Sequence, residues 1–192
     1  MRAFDYTQRM QRRQPILQSA AITLKLFALS DASTLFALVD ANRGQLRQWL
    51  TWVDAQTSEA DSRDAIAHGL ERYEEGNGIV FGVWHETDLV GVAGFNEIDA
   101  TNRVASVGYW LGEAHQGRGI MTATCRRLIE YGFDDIALNR IEIRCASENT
   151  KSCAIPERQG FAHEGTLRQA EWLSDHFVDQ RLYAILQQKW VS

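Results

Sequence analysis

The sequence predicts an α/β (α+β) fold, in which a central mixed, mostly antiparallel seven-stranded sheet is flanked by about four helices in the order β-α-α-β-β-β-α-β-α-β-β. Three observations predict it. From Gly78 onward, GIVFGVWH, LVGVAGFNEID and RVASVGYWLG are extended runs joined by the short polar turns ETD and ATN, the pattern of an antiparallel meander. The next stretch, HQGRGIMTATCRRLIEYGF (His115 to Phe133), changes to helical spacing before the strand-like IEIRCAS. A strand, a helix and a strand in succession form a crossover, which pairs the two strands in parallel.

The remaining elements follow in order. A polar arm, residues 1–20, precedes a single domain over residues 21–192. In AITLKLFAL, Ile22, Leu24, Phe27 and Leu29 supply the apolar face of a first strand. Ser30 or Asp31 can cap a helix carrying Leu35, Leu38 and Val39, and Ser58 with Asp61 at capping-box spacing opens a second helix through Ile66, Leu70 and Tyr73. Asn149 to Gln159 reads as a short helix bent at Pro156, and FAHEGTL and QRLYAILQQKW as two final strands.

Composition narrows the function. With 192 residues, one domain with one site is the expectation. The net charge of −5 is spread along the chain, and the clearest basic cluster is Arg9, Arg12 and Arg13, so nucleic acid is a poor direct partner and a basic one fits better. Cys125, Cys145 and Cys153 lack the spacing of a zinc site and read as reduced, buried thiols; no metal is expected. No apolar run approaches the roughly 20 residues of a membrane span, and the first residues lack the apolar stretch of a secretory signal. A cytoplasmic protein is expected.

The start of the helix after the meander carries the chemistry. Free backbone N–H groups at a helix N-terminus, with the macrodipole behind them, favour anions, phosphate above all. Gly117 and Gly119 let the backbone approach closely, and Gln116 and Arg118 add donors. The spacing fits neither a Walker A loop nor a dinucleotide-binding GxGxxG. It points to a pyrophosphate held by another fold.

These residues resemble the GNAT acetyltransferase superfamily, whose acetyl-CoA signature Q/R-x-x-G-x-G/A is matched by Gln116, Gly117, Arg118, Gly119, Ile120 and Met121, with Met121 in place of the last Gly/Ala. LRQWLTWV, GYWLGEAHQGRGIMT, NRIEIRCASENTKSCAIPERQGF, HEGTLRQ and DQRLYAIL are similar, in order, to blocks of its RimJ/RimL branch, the ribosomal-protein N-terminal acetyltransferases and their relatives. The resemblance implies a GNAT fold, acetyl-CoA bound along Gln116 to Thr122, and the thioester received by the backbone of Tyr109, Trp110 and Leu111. It further implies that Asn149 bonds the pantetheine arm, besides capping its helix, and that Ser152 protonates the CoA sulfur.

For the general base, the resemblance puts Glu171 ahead of Glu164, with His115, His163 and His176 behind them. Trp49 and Trp52, three apart and on one face if the stretch is helical, are candidates to line the acceptor cleft. Asp54, Glu59, Asp61 and Asp64 can attract a basic peptide or simply form a solvated face. A ping-pong route through Cys125 or Cys153 lacks an activating histidine nearby, so direct attack in a ternary complex is expected. The implied acceptor is a protein N-terminus, for which a ribosomal protein is the model case. Two alternatives stay open, a small-amine (polyamine or drug-like) acetyltransferase and a non-catalytic acyl-CoA-binding module, as does the choice between monomer and homodimer.

Overall fold

The computed structural model describes residues 16–19 and 21–190. The arm's Arg9, Arg12 and Arg13 lie outside the described residues. Among the described residues, eight strands form one sheet in the order β1-β2-β3-β4-β5-β6-β8-β7. They are β1 (Ile16–Ser19), β2 (Ile22–Leu26), β3 (Ile79–His85), β4 (Asp88–Asp99), β5 (Val104–Leu111), β6 (Arg140–Ala146), β7 (Ala162–Leu173) and β8 (His176–Leu186). Among the same residues five α-helices accompany them: α1 (Ala32–Ala41), the single turn α2 (Arg43–Leu46), α3 (Glu59–Glu75), α4 (Ile120–Glu130) and α5 (Thr150–Arg158).

The expected counts of seven strands and about four helices are therefore corrected. Residues 16–19, read as part of the arm, pair antiparallel with β2, but only Leu17 turns a buried side chain inward, too few apolar positions to register as a strand period. The one-turn α2 is likewise too short to show a helical period.

Every neighbouring pair is antiparallel except β5 and β6, which run parallel across the crossover through α4, as expected. Strands β3 and β4 are buried on both faces, so they read as nearly continuous apolar runs. One face carries Phe81, Phe95, Ile141 and Tyr183 against α4 and α5; the other meets α1 and α3 through Leu35, Val39 and Ile66. Truncating the fully buried Phe95 to alanine would cost about 3–5 kcal/mol, from the apolar burial lost and the cavity left in the first of these layers.

Helix α3 starts where the sequence places it. Ser58 Oγ accepts from the Asp61 N–H (3.3 Å), while Asp61 Oδ2 accepts from the N–H groups of Ser58 (2.8 Å) and Thr57 (2.9 Å). Gly76, at φ +76°, ends it in the left-handed conformation. Inside the same helix Gly69 is retained, although glycine there is about 1 kcal/mol less favourable than alanine and an added Cβ would meet only Val80, at 3.8 Å.

Candidate active site

The site is created by a divergence of strands. β5 and β6 pair only from Val104 with Arg140 to Val107 with Ile143. Beyond that, Gly108 to Leu111 continue against β4 alone, and Arg144 to Ala146 continue against β8 alone. A wedge opens between the two central parallel strands, and their backbone edges inside it are free of strand pairing. The chain leaving β5 starts α4, and the chain leaving β6 starts α5, so both helix N-termini gather at the open end.

The loop into α4 leaves backbone amides free to receive an anion. Gly117 (φ +73°) and Gly119 (φ +77°) both take left-handed conformations, and a Cβ on either would meet nothing within 4 Å. Backbone conformation, not crowding by the protein, is what requires glycine here. The first bond into the helix runs from the Ala123 N–H to the Gly119 carbonyl (3.0 Å), so the amides of Ile120, Met121 and Thr122 ahead of it are not used by the helix ladder. The side chains of Ile120 and Met121 point into the core, which explains how methionine fits at a position where the family signature has Gly or Ala.

Gln116 does not reach out as a free donor. Its Nε2 donates to the Leu111 carbonyl (3.3 Å) and its Oε1 accepts from Lys151 Nζ (3.2 Å), so it braces the loop. Thr122 is tied to α5, its hydroxyl accepting from Arg158 (3.1 Å) and its carbonyl from Gln159 Nε2 (2.6 Å). Arg118 is exposed beside them. Lys151 and Arg158 were not singled out from the sequence; their only signal was a position on the helix that starts beside the loop. Together with Arg118 they surround the α4 N-terminus with positive charge.

Across the wedge, Asn149 caps α5 by accepting from the Ser152 N–H (3.1 Å), as its residue type predicts. Ser152 Oγ lies 3.3 Å from both the Tyr109 hydroxyl and Cys145 Sγ. Tyr109 projects from β5 into this cluster, where burial raises its pKa well above the usual 10 and keeps the phenol protonated. Trp110 packs with the α1 and α3 layer, 6.1 Å from the Trp52 ring, and Leu111 is buried, so inside the wedge these two residues offer a ligand only their backbone.

The carboxylate candidates separate. Glu164 forms a bidentate pair with Arg140 (2.9 and 2.6 Å) at the closed end of the wedge, and that pairing lowers its pKa. Glu171 lies at the open end: it accepts from Gln180 Nε2 (2.8 Å), and Gln180 pairs with Ala146, the last residue of β6. The final hairpin extends to Leu173 and His176, past the strands expected from the sequence, and this places Glu171 within it. His163 packs with its ring tilted 5.3 Å from Tyr183, and His176 pairs with Asp175 in the hairpin turn (2.6 Å). His115 packs 6.5 Å from His85.

The stretch carrying Trp49 and Trp52 is a series of turns, not a helix, so the two rings part. Trp49 packs against Leu173 and Val178, while Trp52 turns toward Trp110. Arg43 holds this turn, donating to the carbonyls of Val53 (2.6 Å) and Gln56 (2.8 Å). Of the four nearby carboxylates, Asp61 is spent on the helix cap and Asp54 on Arg47 (2.8 Å). Burial raises the Cys145 thiol to about 11 and the Cys125 thiol higher still, which leaves neither a thiolate near neutral pH.

The chain is similar to known proteins over most of its length. Residues 21–162 match the acetyltransferase (GNAT) domain. The chain is 36% identical over 170 residues to the putative ribosomal N-acetyltransferase YdaF of Bacillus subtilis, covering 88% of this chain and 93% of that protein. It is 34% identical over 171 residues to the ribosomal-protein-serine acetyltransferase of Escherichia coli, covering 89% and 96%. The solved structure of RimL, a ribosomal L7/L12 α-N-protein acetyltransferase in complex with coenzyme A, superposes with a TM-score of 0.87 at 29% identity, over 90% of this chain and 98% of that one.

Proposed function

The chain belongs to the GNAT acetyltransferase family, and from that premise we propose that it transfers the acetyl group of acetyl-CoA to the N-terminal α-amine of a protein. The observation that carries the proposal is the wedge between β5 and β6, opening onto the free amides of α4. The amides of Ile120 to Thr122, with Arg118, Lys151 and Arg158 around them, take the diphosphate of CoA. The pantetheine arm runs into the wedge past Asn149, and the unpaired edge of Tyr109 to Leu111 presents N–H groups to the thioester.

The reaction is a direct acyl transfer. The amine nitrogen attacks the thioester carbonyl, a C–N bond forms, the C–S bond breaks, and the sulfur leaves as a thiolate. Glu171 takes the proton that the amine gives up, through a water. Ser152, supported by Tyr109, donates its hydroxyl proton to the sulfur and recovers one from solvent, to which Glu171 releases the proton it took, so the net transfer is from amine to thiolate. An α-amine suits so mild a base, because it titrates near pH 8 whereas a lysine amine titrates near 10.4. The relatives named for ribosomal proteins support a protein acceptor, and so does the uncharged lining of the cavity beside Trp110, which offers a polyamine no carboxylate.

Incubation with acetyl-CoA and short peptides, followed by fragmentation mass spectrometry, tests the reading. It predicts one acetyl group, on the α-nitrogen. Acetylation confined to lysine or to polyamines would replace the acceptor class, and CoA binding without acetylation of any amine would leave a binding module.

A further inference from the structure

Between α1, α3 and the face of β3 to β5 lies a cavity of about 340 Å³. Its wall is apolar, formed by Phe27, Leu35, Ile66, Leu70 and the rings of Trp52 and Trp110, and none of its lining residues is charged. Three features mark it as a place kept for a ligand. The cavity reaches Gly108, Tyr109 and Trp110, the segment of β5 that has parted from β6. Gln56, only 7% exposed, lines the cavity with its side-chain oxygen buried and without a partner. Gly69 of α3 stands on the wall, where helix propensity favours alanine and the space for a side chain exists.

We infer that this cavity is the acceptor's side-chain pocket: it takes a large apolar first residue, such as leucine, methionine or phenylalanine, and Gln56 accepts a hydrogen bond from the backbone N–H that follows it. The inference rests on the N-terminal acetyltransferase reading and adds the specificity. Water is a poor occupant, since a buried water needs two to four polar partners and the apolar wall supplies few. A polycation would be stranded without a counter-charge. Serine or alanine would leave most of the volume empty and the packing unmade. An apolar side chain fills the space, and the one peptide N–H beside it satisfies the one unpartnered oxygen. Arg43 is the positioning residue, since it holds the turn from which Trp52 and Gln56 project.

Steady-state kinetics with peptides differing only in the first residue test this directly. At saturating acetyl-CoA, leucine-, methionine- and phenylalanine-headed peptides should show kcat/KM at least tenfold above the serine-headed one, mainly through KM. Gly69→Leu, which fills the pocket, and Ala65→Leu, which narrows its mouth, should collapse that ratio toward unity while CoA-dependent thermal stabilisation persists. A serine-headed peptide that is the best substrate, or a preference unchanged in both variants, overturns the inference. If no peptide is acetylated, the transferase reading fails separately, and Trp fluorescence decides the pocket. Saturable quenching by the leucine-headed peptide that is lost in Gly69→Leu sustains it, and no saturable change overturns it.

Discussion

The Tyr109 hydroxyl donates to the Ser152 carbonyl oxygen at 3.0 Å, joining the strand on one side of the wedge to the helix on the other. Ser152 is thus held beside the wedge by a phenol that burial keeps protonated. Ser152→Ala should lower kcat by on the order of a hundredfold, as loss of a proton donor does, with CoA affinity nearly intact. Tyr109→Phe should cost about 1 kcal/mol of stability from the lost hydrogen bond and lower kcat less than Ser152→Ala does. Steady-state rates, with denaturation midpoints alongside, check both.

The two glutamates should part experimentally as they do in space. Glu171→Gln should depress turnover most at low pH, where the amine is protonated and needs the base, and leave CoA binding unchanged. Glu164 has its pKa lowered by the Arg140 pair, so the stability it contributes is present above its ordinary value of 4.5 and is lost as pH falls through the lowered one. Glu164→Gln should therefore destabilise the protein modestly at pH 7 and scarcely at about pH 3, while turnover at neutral pH persists. Thermal unfolding at the two pH values, beside rate profiles, separates the roles.

Much of this site was legible in the residues themselves. The capping box of Ser58 and Asp61, the crossover that makes β5 and β6 parallel, and the glycine pair before α4 are local signals, each readable within a few positions. The divergence of β5 from β6 is different, because no residue of either strand announces that pairing stops at Val107; only the family resemblance implies that this strand splays from its neighbour. Gln56, Arg43 and Lys151 also matter only through partners distant in sequence or through a cavity shaped by several elements. The parting of Trp49 from Trp52 was hidden for the same reason. A three-residue spacing means one face only in a helix, and the stretch is held as turns by Arg43.

The glycine pair yields a sharper test than its motif. Gly119 has open space around its missing Cβ and a φ of +77°, so Gly119→Ala meets no clash within the protein. It should cost about 1–2 kcal/mol from the left-handed conformation alone, and weaken CoA binding through the displaced amides. Gly119→Glu should abolish CoA binding by placing an anion where the diphosphate belongs. CoA-dependent shifts in melting temperature measure both variants; undiminished binding by Gly119→Glu would remove the phosphate cradle.

The thiols make a prediction of the opposite sign to that of Glu164. The Cys145 thiol is raised from an ordinary 9.0 to about 11, so the unfolded chain loses its proton first, and stability should be full below pH 9 and fall as pH rises toward 11. Cys125→Ala should keep most of the turnover, and labelling by a thiol reagent at neutral pH should be slow until the protein is unfolded. Loss of all activity in Cys125→Ala, with a normal melting temperature, would revive a covalent route.

Free-thiol release from acetyl-CoA, measured with one peptide in two forms, its N-terminus free or already acetylated, decides whether an α-amine is the acceptor. Direct transfer to an α-amine predicts turnover with the free form and only the background hydrolysis rate with the blocked one. Equal release from both forms, or release from neither while CoA still stabilises the fold, would contradict it.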